Sequence, residues 1–127
     1  MKRLFLLLLS FLILTGCSQI QSSSPSSTPT LHANCILKGI LNVTNDLSGD
    51  IKFLGEIQNT GNRRSNYTKI TFTLRASNEA ILEVPYTYVD TTFGDIEISS
   101  SETFTCWSNT NSNEVSSYSY KITWSEY

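Results

Sequence analysis

Strict alternation of apolar and polar side chains is the feature that most restricts what this chain can become. Ile70, Phe72 and Leu74 alternate with Lys69, Thr71, Thr73 and Arg75, and Tyr118, Tyr120, Ile122 and Trp124 alternate with Ser119, Lys121 and Thr123. An amphipathic helix repeats every three to four residues, so a period of two selects half-buried β-strands. Phe104 and Cys106 alternate with Thr103 and Thr105, while Ile51, Phe53 and Ile57 oppose Lys52, Glu56 and Gln58. A first strand carries Cys35, Leu37, Leu41 and Val43 in one phase and Ile36 and Ile40 in the other. Asn45–Asp50, Asn59–Asn66 and Ser77–Glu79 are rich in the residues that turn a chain. Pro85, inside the run Ile81–Val89, predicts an edge strand or a bulge because it has no amide proton to donate. Six or seven strands joined by turns, with no helical period, predict an all-β fold, an antiparallel sandwich.

The first residues belong to something else. Met1-Lys2-Arg3 precedes an apolar run from Leu4 to Leu14, broken only by Ser10, which is too short to span a bilayer and has the layout of a secretory signal. Leu14-Thr15-Gly16-Cys17 then resembles the bacterial lipobox, in which two small residues let the chain lie extended in a peptidase groove. That resemblance implies cleavage after residue 16 and acylation of Cys17, hence a bacterial lipoprotein held in the membrane by lipid. Two or three acyl chains anchor firmly where one holds only marginally. Ser18 is not the Asp associated with retention in an inner membrane, so the outer membrane is expected if the source has one. Residues 17–33, with six serines and two prolines, read as a disordered tether carrying the single histidine, His32, as a solvated linker residue. Residues 34–127 are left for the folded domain.

Within that domain, Gly55-Glu56-Ile57-Gln58-Asn59-Thr60-Gly61 resembles the G-x-V-x-N-x-G strand and turn of FxLYD-type domains. Thr71-Phe72-Thr73-Leu74-Arg75 falls where that family has its F-x-L-Y-D strand, Ser101-Glu102-Thr103-Phe104 near its P-G-E-x-x-x-F segment, and Tyr118–Ile122 on its closing strand. Arg75 and Ala76 depart from the pattern, and the Pro-Gly before Glu102 is missing. The resemblance implies an immunoglobulin-like sandwich of the kind found in extracytoplasmic proteins, without a shared activity or a catalytic residue. On physical grounds Gly55 reads as a close-packing or bulge position. Asn59 reads as a turn residue that bonds its side chain to backbone, and Gly61 as a residue with positive φ.

Composition excludes several functions. Loss of Lys2 and Arg3 with the signal leaves nine cations less two against eleven acids, a formal charge of −4 instead of −2. Nucleic-acid binding calls for the opposite, a basic stripe. The domain holds no histidine, and no S-x-x-K spacing pairs a serine with a lysine base, so it is read as no enzyme. Asp46, Asp50, Asp90, Asp95 and Glu97 lack a calcium-loop spacing and read as solvated acids, so no metal or cofactor is expected. Arg63-Arg64 falls short of a lipid-binding cluster and reads as a solvated loop. The expected function is a lipid-anchored accessory or adhesion module that offers its sandwich surface to an envelope protein. A small-ligand or glycan binder using exposed aromatics is the alternative.

Two readings depend on side-chain direction. Trp124 is in phase with the apolar face of its strand and is expected in the core. Trp107 is in phase with Thr103 and Thr105 and faces solvent if its strand runs straight, as a binding aromatic would. A strand end or bulge that turns it inward is the preferred reading. Three cysteines leave one spare in a secreted chain, and acylation of Cys17 consumes it. Cys35 and Cys106 are then expected to form a disulfide, the alternative being two buried thiols. If their strands flank a common neighbour, the two stand too far apart to bridge.

Overall fold

The computed structural model describes residues 28–89 and 92–127. Its strands are β1 (Cys35–Asn45), β2 (Asp50–Asn59), β3 (Asn66–Arg75), β4 (Ile81–Glu83), β5 (Tyr86–Tyr88), β6 (Ser101–Asn111) and β7 (Ser117–Ser125), with a single 3-10 turn at Thr92–Gly94. One antiparallel sheet has the order β1-β2-β6. In the other, β7 pairs with one edge of β3, while β4 and β5 share its opposite edge. The expected all-β sandwich is the fold observed.

Alternation places the core. Ile70, Phe72 and Leu74 on β3 and Phe53 and Ile57 on β2 are fully buried, and Phe104 and Cys106 on β6 are nearly so. Phe53 and Phe72 stack across the two sheets with ring centroids 4.0 Å apart and planes 10° from parallel. Tyr118 meets Phe53 edge-on at 5.3 Å, so the sheets are joined by an aromatic column. Trp124 and Ile122 pack against this core as expected. Tyr118 and Tyr120 share their phase but remain nearly half exposed, because β7 is an edge strand.

Irregularities fall where local chemistry demands them. The run from Ile81 to Val89 breaks into β4 and β5 around Pro85, whose carbonyl still accepts the Phe72 amide at 2.9 Å. On β1, Lys38 pairs with Glu56 and Asn42 with Leu54, so Gly39, Ile40 and Leu41 oppose Gly55 alone. Gly39 takes φ 73° to make this bulge. Two extra residues leave the alternation in phase, so Leu37 and Val43 still pair with inward Ile57 and Phe53. Gly55 is required by packing, since a Cβ there would stand 2.8 Å from the Phe104 ring.

The expected disulfide is not formed. Cys35 and Cys106 are free, buried thiols. β1 and β6 flank β2 on opposite edges, with Cys35 paired to Asn59 and Cys106 to Phe53. Six residues along β2 and two strand spacings across it separate them by about 22 Å, far beyond bridging distance. Burial pushes the Cys35 thiol pKa up, against the lowering hydrogen bonds of Ser65 and Thr68. Burial and then the Glu83 carboxylate push Cys106 up to about 11. Neither thiol is therefore expected to react with iodoacetamide in the native protein at mildly alkaline pH. Both should alkylate without reductant once the chain is unfolded. Mass spectrometry checks this, and a Cys35–Cys106 linked peptide in a non-reducing digest would contradict the register.

Candidate functional site

Two aromatic surfaces stand out, and strand register positions the first. Trp107 pairs with Lys52, and the next pair is Asp50 with Asn111, so the β6 bulge begins after Trp107 and not at it. The strand is straight through the ring, which points outward at 53% exposure instead of turning in. The inward placement preferred on sequence grounds is thus corrected, since the bulge, where Ser108–Thr110 oppose Ile51 alone, lies beyond the Trp. Lys52 Nζ sits 4.5 Å from the ring centroid, placing a cation over the ring. Ser108, one residue later, is buried and donates to Glu83 Oε2 at 2.6 Å. Thr110 Oγ1 and the Asn109 amide donate to the same carboxylate, so β4 is fastened to β6 beside Trp107.

The second surface lies at the end where the tether joins. That end is built on Asn59, which is fully buried and uses its whole amide. Its Oδ1 accepts the Asn34 and Gly61 amides at 3.1 and 3.0 Å, and its Nδ2 donates to Arg63 O at 2.7 Å and Ile96 O at 3.2 Å. The bond to Gly61 is the turn contact expected of Asn59. Gly61 itself is present for a different reason from the expected positive φ. A Cβ at Gly61 would lie on the backbone of residues 32–34, with Asn34 N at 2.6 Å and Ala33 C at 2.8 Å.

The same contacts draw the end of the tether into the domain. Asn62 Oδ1 accepts the His32 amide at 2.8 Å, and Glu126 Oε1 accepts the Ala33 amide at 2.8 Å. Ala33 is buried, so the folded unit starts near His32 and not at Asn34. His32, expected to be solvated, has Nδ1 3.4 Å from Glu126 Oε2. The Glu126 carboxyl is held below its usual range by the Ala33 amide, then by Trp124 and His32. Arg63 and Arg64 are not merely solvated either. Arg63 Nε donates to Tyr127 O at 3.1 Å, and Arg64 pairs with Asp95 and Glu97.

Around this clasp lies an open cleft of about 360 Å³ lined by Tyr67, Tyr88, Phe93 and Gly94. Tyr67 (φ 51°) and Phe93 (φ 65°) both occupy the left-handed region that bulky residues avoid. Gly94, at φ 71°, packs so closely on β3 that a Cβ there would stand 3.0 Å from Thr68 O and 3.3 Å from the Tyr88 ring. The Tyr127 ring meets Tyr67 edge-on at 6.3 Å. Sequence reading missed this cleft, because its rings come from three separate segments and no local period marks a left-handed Tyr or Phe. Among the described residues, no three His, Cys, Asp or Glu side chains gather as a metal cage.

Residues 1–27, which hold the expected signal segment, Cys17 and most of the expected tether, lie outside the described residues. Comparison of the chain with family models, with curated proteins and with solved structures gives no match.

Proposed function

We propose that this chain is a lipid-anchored, non-catalytic module of the bacterial cell envelope that presents its β1-β2-β6 face to a protein partner. Outward Trp107 is the observation that carries the reading. A large ring on a flat sheet face, steadied by Lys52, is the kind of anchor on which protein interfaces concentrate their binding energy. The lipobox at Leu14–Cys17 supports the membrane attachment, and the FxLYD-like motifs support an extracytoplasmic setting. A glycan-binding reading draws on the same ring, since an exposed indole can also stack on a sugar.

Crosslinking and pull-down from intact envelopes test the reading, alongside intact-mass analysis. The mature chain should lack residues 1–16 and carry diacylglyceryl on Cys17, and Cys17→Ala should remain uncleaved. Wild type should recover a specific envelope protein that Trp107→Ala loses. A glycan-array signal lost in Trp107→Ala, without protein capture, would favour the second reading. An unmodified wild-type chain released into the medium would overturn the anchor.

A further inference from the structure

We infer that the tether end of the sandwich docks onto the surface of the lipid bilayer that holds the anchor, through Leu31, Tyr67, Phe93 and Tyr127. The inference rests on the acylated Cys17 proposed above. Topology puts everything needed at one end. β1 begins there, β2 ends there, β3 begins there, and β7 runs down to the C-terminus there. The isolated bridge between Ser65 and Ile96 fixes the segment after the 3-10 turn to the same end. A chain attached through Cys17 therefore enters the domain at this end, on the side from which the membrane is reached.

The chemistry of that end fits a headgroup boundary. Phe93 is 70% exposed, Tyr127 80% and Leu31 53%, with Tyr67 close to half. Tyrosine rings settle at the membrane–water boundary, where the ring leaves water and the phenol keeps its hydrogen bonds, while phenylalanine and leucine side chains enter the acyl edge beside them. Tyr67 and Phe93 both hold left-handed backbone that bulky residues avoid, and both present ring surface to solvent. Arg64 is neutralised by Asp95 and Glu97, so the contact is aromatic in character and not a basic patch.

Reach completes the argument. Fifteen residue steps from Cys17 to His32 span at most about 54 Å even when fully extended. Such a short link gives the aromatic end a high effective concentration at the lipid surface, so contacts too weak to bind a free domain suffice for an anchored one.

The test uses the full acylated chain in vesicles of phosphatidylethanolamine and phosphatidylglycerol containing lipids brominated near the headgroup. Phe93→Trp and Leu47→Trp each add an indole at a solvent-exposed position, Leu47 being fully exposed in the β1–β2 turn at the far end. Emission added by Phe93→Trp should be quenched several-fold more than emission added by Leu47→Trp. Equal quenching at both positions, or none at either, overturns the inference; the latter leaves the cleft to a soluble ligand or a second copy. Vesicle flotation separates the two proposals: a chain that fails to float has lost the anchor, whereas a chain that floats with Phe93→Trp unquenched has lost only the docking.

Discussion

The Phe72→Ala variant is expected to lose about 3–5 kcal/mol of stability, the usual cost of removing a fully buried aromatic side chain. Phe72 has no exposed surface and touches both halves of the core. Its ring lies flat on Phe53 at 4.0 Å, tilts toward Phe104 at 6.2 Å, and meets Tyr120 at 6.2 Å. Removing it empties the space between the sheets, and both backbones are held by their own ladders, so the gap cannot close by a small shift. A domain of this size has about 5–15 kcal/mol in total, so the variant should sit near its unfolding threshold. Urea titration followed by tryptophan emission measures the loss. Tyr120→Ala, truncating a half-exposed ring in contact with Phe72, provides the contrast and should cost markedly less. A loss below about 1 kcal/mol for Phe72→Ala would mean that the inter-sheet stack is not the centre of the core.

Asn59→Leu should be nearly as damaging, at roughly 3–5 kcal/mol, although it replaces a polar side chain with an apolar one of similar size. Each buried partner left without a hydrogen bond costs about 1–3 kcal/mol, and three lose theirs at once. They are the Asn34 and Gly61 amides and the Arg63 carbonyl, while the Ile96 carbonyl keeps the Ser65 amide at 3.0 Å. Water reaching the outer members recovers part of the penalty, which keeps the sum below three full terms. Asn59→Asp separates the two halves of the amide. It keeps an acceptor for the two backbone amides but loses both donors and sets a carboxylate against two carbonyls. Its loss should shrink as pH falls and the new carboxyl is protonated, because the proton restores one donor. Hydrogen exchange locates the damage: protection should vanish first at Thr60, Asn62 and Ser65, whose amides bond within this end. A loss confined to the β1–β2 turn at the other end would refute the assignment.

Much of this fold was legible because its signal is local. Strand alternation depends only on neighbouring side chains pointing to opposite faces, so the inward set Ile70, Phe72, Leu74, Phe104 and Cys106 could be read directly from their spacing. Pro85 marked its own break in the edge strand, since the missing amide is a property of the residue itself. Asn59 announced its turn bond to Gly61, because a side chain reaching two residues ahead is also a short-range event.

Tertiary structure alone decided the rest. Strand order is set by packing between residues far apart in the chain, and it placed β1 and β6 on opposite edges of β2. Two cysteines with identical local signatures were thereby kept apart as free thiols. The direction of Trp107 turned on whether the bulge in β6 came before or after it, a matter of register against β2. Asn59's other three partners, and the cluster of Tyr67, Tyr88, Phe93 and Tyr127, exist only because two loops and both ends of the domain close on one pole of the sandwich. A sequence determines which face of each strand seeks the core; which strands then meet, and what their loops assemble at either end, is settled by the one packing that fills that core.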